Sequence, residues 1–338
     1  MAYQRNNVPT LHDLAVASSS GKMDAVLDIV EMMSEERALI EDMAFVEGNQ
    51  PTGHTFRIRT KLPPTTWRRY NMGVPPTKSE SVQVTETCGM MEAVSEVDEG
   101  LLKLQKDPAK FRLQEASAHI ESMMQEFSYN MWYGNTGVNP EKIVGFSTRY
   151  SSLTAGNGRN ILDGGDATSS PNQNTSIWLL VWSERTMYGI TSQGTPAGLR
   201  HIPGKEPIDL VDKHGGTFRG YRDRFQWNVG SVLEDWRYGC RIANLDYERL
   251  NTSGTASSTA ADLMVLMLKA ITTVQSVNKG RPVFYCNRNT FSMIQQQLYG
   301  KAHFTTVLDL TTGLPRSSFM GIPIRMDDSL LNTEEKVV

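Results

Sequence analysis

The segment from Val46 to about Leu101 constrains the fold more than any other part of the chain. In its first run, Thr55-Phe56-Arg57-Ile58-Arg59-Thr60-Lys61, Phe56 and Ile58 fall on one face and Arg57, Arg59 and Lys61 on the other. The second run, Ser81 to Thr87, alternates in the same way and carries Glu80, Glu86 and Glu92 in and around it. Period-two alternation of this length predicts half-buried antiparallel strands. Between the runs, Leu62 to Pro76 contains Pro63, Pro64, Pro75 and Pro76, which neither helix nor sheet absorbs. The pattern predicts a long hairpin that feeds directly into a long helix. A two-stranded ribbon is marginal by itself in water. It needs a surface to lie on, and another copy of the same chain can supply one.

Composition narrows the function classes. A chain of 338 residues has room for one large domain or two to three smaller ones. Hydrophobic content of 39% and charged content of 21% fit a soluble globular protein. The formal net charge of −3 argues against a dedicated nucleic-acid binder, but not against a protein that sits near nucleic acid without gripping it. Cys88, Cys240 and Cys286 are odd in number, widely spaced and in strand-like stretches, which predicts buried thiols in a reducing compartment. Met1 to Asn7 has no apolar signal-peptide core, and no apolar run approaches the roughly 20 residues of a membrane span. The sequons at Asn174 and Asn251 therefore carry no weight, and a cytosolic product is expected.

Residues 1–45 read as an N-terminal arm, with a short amphipathic helix from Asp24 to Met33 and a second helical piece from Glu35 to Ala44. Further on, Asp107 suits an N-cap and Pro108 the first helical position. Leu113, Ala116, Ile120, Met123, Met124, Phe127 and Met131 then recur at helical spacing, and Gly134 offers a stop. A rod of about 26 residues spans roughly 40 Å. The middle, Gly145 to Glu248, is rich in strands and loops. There Ile177 to Trp182 predicts a strand buried on both faces, and Phe225–Leu233 with Cys240–Leu245 predicts an antiparallel pair. Gly194 to Gly220 reads as a long loop or small insertion. A capping box at Thr259 to Asp262 opens a helix running to Val277, ended by Gly280 and Pro282. A buried strand Val283–Cys286, a helix from Asn287 to Tyr299 and a last strand pair around Thr305–Leu310 and Ile322–Met326 complete an α+β body.

The search for catalytic chemistry comes back nearly empty. There is no GxSxG, P-loop, HExxH or GxGxxG after a strand, and none of the six histidines has a partner at metal-binding spacing. His119 reads as structural, Asp163 to Asp166 and Asp327-Asp328 as turn chemistry, and Glu334-Glu335 as a solvated tail. No catalytic residue, metal or cofactor is expected. The hairpin cations Arg57, Arg59, Lys61, Arg68 and Arg69, with Glu80, Glu86 and Glu92 on the return, admit two readings. Either they are ordinary solvated charge, or they form a surface that docks on a complementary neighbour, where charge sets register and partner choice. Trp67 and Tyr70 beside Arg68 and Arg69 match the composition of interface hot spots. Two rings on one tip give thin support for stacking single-stranded nucleic acid.

The order of these parts resembles the major capsid proteins of tailed phages with the Hong Kong 97 fold, in the short-tailed branch. The phrases that carry the resemblance run along nearly the whole chain: Glu47-Gly48-Asn49, Leu62-Pro63 through Trp67-Arg68-Arg69-Tyr70-Asn71-Met72-Gly73-Val74, Met131 to Asn135, Phe225 to Gly230 with Asp235-Trp236-Arg237, Arg241 to Asp246, and Gly321 to Arg325. The resemblance implies an N-terminal arm (1–45), an extended loop (46–97) lying over the adjacent subunit, and a peripheral domain with its spine helix (98–150). It further implies a strand-rich section or inserted subdomain (151–257), an axial domain (258–300) and returning peripheral strands (301–338). Some relatives crosslink Lys to Asn; no Asn and base matching Lys61 or Lys78 are identified, so no crosslink is expected.

The function implied is a shell protein, made in the host cytoplasm and residing in the virion. It would self-assemble as pentamers and hexamers around double-stranded DNA, with portal, scaffolding and decoration proteins as further partners and no membrane. A same-fold nanocompartment that packages protein cargo is the nearer alternative. A soluble α+β enzyme with a hairpin lid is the more distant one, and it would require convergent titratable groups that the sequence does not display.

Overall fold

The computed structural model describes residues 38–104, 106–165, 173–194, 198–252, 261–300, 306–308 and 315–338. The expected helix Asp24–Met33, the Thr259 end of the capping box and Asp166 lie outside these residues. Helices in chain order are α1 (Ala38–Asp42), α2 (Glu99–Lys103), α3 (Pro108–Tyr133), α4 (Phe146–Arg149), α5 (Tyr247–Thr252), α6 (Leu263–Thr273) and α7 (Arg288–Gly300). Strands up to the middle of the chain are β1 (Phe45–Glu47), β2 (Gly53–Lys61), β3 (Glu80–Thr87), β4 (Gly89–Asp98), β5 (Ile161–Asp163), β6 (Asn174–Trp182) and β7 (Met187–Thr191). There follow β8 (Arg200–Ile202), β9 (Ile208–Val211), β10 (Thr217–Leu233), β11 (Gly239–Asp246), β12 (Arg281–Cys286), β13 (Thr306–Leu308), β14 (Pro315–Phe319) and β15 (Ile322–Met326).

The predicted hairpin is present as β2 and β3, with Phe56 opposite Val84 and Ile58 opposite Val82. It does not feed directly into the long helix. After Cys88 the chain enters β4, which pairs along its whole length with β10 at the edge of a first sheet ordered β1-β7-β10-β4. The alternation that continues through Met91, Ala93, Ser95 and Val97 turns those residues inward, and α3 packs against them. The helix itself follows its sequence signals. Asp107 accepts a hydrogen bond from the Lys110 backbone N–H at 3.2 Å, Pro108 occupies the first turn, and a 26-residue rod ends at Gly134. A side chain at Gly134 would run into the Ile143 carbonyl oxygen at 2.2 Å, so the stop also permits a close backbone crossing.

A second sheet, ordered β13-β14-β15-β12-β6-β11-β5, carries most of the remaining core. Every residue of β6 is buried, as its apolar run predicts. The expected pairing of Phe225–Leu233 with Cys240–Leu245 does not occur: β10 lies in the first sheet and β11 in the second. The Glu234 and Asp235 backbone N–H groups bond the Thr186 carbonyl, and Asp235 caps a tight turn at Trp236–Tyr238 that carries the chain between sheets. All eight residues of β11 are buried, which suits a place between β6 and β5, whereas β10 is buried less uniformly, with Thr217, Arg219 and Arg224 exposed. The strands of 151–257 are thus shared between both sheets rather than gathered into one unit.

Smaller departures have equally local causes. The segment read as a loop contains β8 and β9, both paired with β10. Helix α6 is capped by Asp262 and ends at Thr273, where Val274 turns extended, so Val277 falls in a separate 3-10 turn. The last two predicted strands do not touch; β14 lies between them. Glu334 is no solvated tail. It is 6% exposed, accepts a hydrogen bond from Arg241 at 2.9 Å and further ones from Ser176 and Tyr133, and its backbone N–H bonds the Asn174 carbonyl. Asp163 does behave as a turn residue, accepting the Gly165 N–H at 3.1 Å, and buried Asp327 accepts from the Trp132 indole at 2.9 Å.

Candidate assembly surface

The hairpin has two halves of opposite character, both set by sequence. At its root, the Asn49 side chain clamps the backbone of Thr55 with two hydrogen bonds of 2.7 and 2.8 Å. Gly53 faces the returning strand so closely that a Cβ would sit 2.1 Å from the Glu86 carbonyl oxygen. The first alternating residue, Phe56, plugs into Tyr188, Ile190 and Val232 of the body, with Ile58, Val84 and Cys88 partly buried around it. Glu86 lies on this same inward face. Arg149 of α4 holds its carboxylate with a two-pronged bond of 2.5 and 2.9 Å, and both side chains are largely buried. Paired, two-pronged geometry is what makes a desolvated ion pair tolerable.

Beyond the root the inward face loses its support. Val82 is 52% exposed, and Leu62, Met72 and Val74 are exposed as well. Residues 62–79 run without helix or strand, around a turn in which Asn71 adopts φ 61° and Arg68 donates to the Met72 carbonyl at 3.0 Å. Trp67 and Tyr70 are 100% and 98% exposed, an extreme for rings of this size. Six of the chain's 34 basic residues and none of its 37 acidic ones lie in 53–79, a formal +6 that leaves the rest of the chain at −9.

The predicted contact residues therefore separate into groups. Arg57, Arg59, Lys61, Trp67, Arg68, Arg69, Tyr70 and Glu80 are all exposed on the distal hairpin. Lys61 and Glu80 approach to 3.7 Å in an exposed pair, which contributes little. Glu86 departs from the expectation, because its carboxylate is buried at the root and spent on Arg149. Glu92 lies on β4 of the body, 3.8 Å from Arg224, and not on the hairpin. Sequence reading missed Arg149 and the plug made by Tyr188, Ile190 and Val232, all distant in the chain from the strands they hold.

No other part of the described residues has the makings of a reaction centre. They contain no cluster of His, Cys, Asp and Glu able to hold a metal, and no helix long and apolar enough to cross a membrane. Burial pushes the Cys240 thiol up to about 12 and that of Cys286 higher still, which leaves both unreactive. His119 and His201 both stack on buried Phe225, and burial holds the His119 imidazole below its ordinary range.

Comparison with known proteins agrees with this picture. No curated protein sequence matches. Among solved structures, the chain is similar to one in bacteriophage Epsilon15, at 29% identity and a TM-score of 0.71, covering 100% of this chain and 99% of that one. The bacteriophage JBD30 capsid gives a TM-score of 0.53 at 11% identity, covering 95% and 99%, which is a likeness of fold. Residues 21–338 match the family described as major capsid protein GP7. A hairpin whose distal half meets no other described residue, a capped spine helix and an α+β body are consistent with that family. The chain belongs to the major capsid protein GP7 family: it is a structural, shell-forming component of a tailed-phage capsid with the Hong Kong 97 type of fold.

Proposed function

We propose that the β2–β3 hairpin is the arm by which each subunit grips the next, through Arg57, Arg59, Lys61, Trp67, Arg68, Arg69 and Tyr70, flanked by Glu80. One observation carries this reading: the root is packed and ion-paired, while the distal half presents six cations and two exposed rings that the described residues of its own chain do not cover. Aromatic and Arg side chains of this kind are what interface hot spots use. On this reading Glu86 sets the arm instead of meeting the neighbour, and Glu92 belongs to the surface on which an arm lies. On the same reading the first sheet with α3 forms the peripheral domain and the second sheet with α6 and α7 the axial domain, so β13, β14 and β15, expected among the returning peripheral strands, fall in the axial sheet.

The shell so built encloses double-stranded DNA. A formal charge of −3 suits a wall that confines DNA without binding it tightly. Portal, scaffolding and decoration proteins complete the set of partners. Replacing Lys61 to Pro76 by a short turn should abolish closed shells in negative-stain electron microscopy while leaving a folded subunit by circular dichroism. Normal shells from that variant would overturn the arm reading.

A further inference from the structure

Past β15 the chain is anchored at Asp327, whose backbone N–H bonds the Cys286 carbonyl at 3.0 Å and whose carboxylate takes the Trp132 indole. Beyond that anchor, residues 328–338 make one isolated bridge, Asn174 with Glu334, and no other strand pairing among the described residues. A sheet strand is held by the main-chain groups of its neighbours. Here side-chain amides and hydroxyls of the body largely take their place. Asn287 donates to the Leu330 carbonyl and Thr175 to that of Leu331, while the Tyr133 hydroxyl accepts the Leu331 N–H at 3.0 Å. Asn244 takes both groups of Val337, accepting its N–H at 2.8 Å and donating to its carbonyl at 2.9 Å. Main-chain groups read by fixed side chains are the signature of a peptide seated in a site, not of a strand in a ladder.

That site is built into the body. Asn244 reaches Val337 from a break in the register of β11 between Ile242 and Leu245, where it adopts φ 60°, a conformation asparagine tolerates better than most residues. The same strand presents buried Arg241, and Glu334 is the carboxylate that pairs with it among the described residues. Leu330, Glu334 and Val337 are buried, while Asp328, Thr333, Glu335, Lys336 and Val338 stay exposed around them. Recognition thus rests on an apolar anchor, a carboxylate four positions on and a second apolar anchor three further. With the segment lifted away, Arg241 would lack its carboxylate and Asn244 Oδ1 its donor, so the empty site favours any ligand that restores both.

We propose that residues 328–338 are a detachable strap, and that β6, β11, Tyr133 and Asn287 form a peptide-recognition site which the strap fills in its own chain. The ligand class is an extended peptide with Leu, Glu and Val at that spacing. The strap docks on a sheet that is already built. It therefore opens and closes about Asp327 without unfolding β6 or β11.

Hydrogen exchange on the intact subunit tests the detachment. The Leu331, Glu334 and Val337 amides are all hydrogen-bonded. They should nevertheless exchange as one unit, at least tenfold faster than the amides of β6 and β11. One common rate for strap and strands would overturn the proposal. The site is tested in the whole chain carrying E334A and V337D, which empties it, with a fluorescein-labelled synthetic peptide of residues 328–338. Anisotropy should show saturable binding, weakened at least tenfold when the peptide carries E334Q. No binding, or equal binding of both peptides, would overturn the site. If the emptied chain does not fold, N244A alone decides. It should speed exchange at Leu331 and Glu334 at least tenfold with β6 unchanged, whereas an effect confined to Val337 or spread through β6 would refute the strap.

Discussion

At the scale of single residues, some of the costliest positions to break are buried charges whose sequence context looks unremarkable. Arg241 donates to Glu334, to Ser176 at 3.1 Å and to the Tyr150 carbonyl at 2.7 Å, while its guanidinium lies over the Trp178 ring. Removing one partner leaves the other charged and buried, which costs about 3–5 kcal/mol. Glu334→Ala should therefore lower the urea midpoint of the unassembled subunit far more than Glu335→Ala, whose side chain is exposed. Equal effects would refute the network. The sequence could not show this, because Glu334 is separated from its partners by about 90 to 200 positions and stands beside a glutamate that is solvated as expected. Histidine 119 gives a second expectation. Burial lowers its pKa, so the folded state favours neutral imidazole, and the stability this provides is full above the ordinary value of 6.5 and is lost as pH falls from there through the lower folded value. His119→Phe keeps a ring against Phe225 and should flatten the fall in thermal midpoint below pH 6.5; an unchanged slope would exclude the assignment.

At the scale of elements, signals confined to one segment were legible and those shared between segments were not. The spine helix is written out by Asp107, Pro108, a seven-residue apolar stripe and Gly134, and it forms over 26 residues. Strands β2 and β3 are likewise legible from alternation alone. The identity of β4 was not, because its alternation is continuous with the hairpin and only its register with β10 assigns it to the body. The same limit explains the missed pairing of β10 and the hidden role of Glu86. The arm's setting is the element most open to test. Arg149→Ala removes the two-pronged hold on Glu86 and should cost about 3 kcal/mol. It should also raise hydrogen exchange at the hairpin backbone between Gly53 and Thr87, leaving α3 protected. Uniform loss of protection would mean that Arg149 supports the body instead of the arm.

At the scale of the whole molecule, charge is divided between residues 53–79 of the arm at +6 and the rest of the chain at −9. Attraction between unlike patches on different copies weakens as the Debye length shrinks from about 10 Å at 0.1 M salt to about 3 Å at 1 M. The concentration needed for assembly should therefore rise with salt, and the combined R57Q, R59Q, R68Q and R69Q variant should show a shallower rise by light scattering. A steeper or equal slope would remove the arm's charge from the account. Function was legible at this scale because it depends on the order of parts, whereas the contacts between copies depend on surfaces that no single segment encodes.

Strand β10 gives the arrangement a mechanical meaning. Its Val232 receives the plug at the arm's root, and its stretch from Gly220 to Val229 pairs with the whole of β4. A pull arriving through the arm's root would enter the body at this strand. Under pressure from within, hoop tension would then load the ladder joining β10 to β4 along its length, so that many backbone hydrogen bonds share the shear and no single loop bears it.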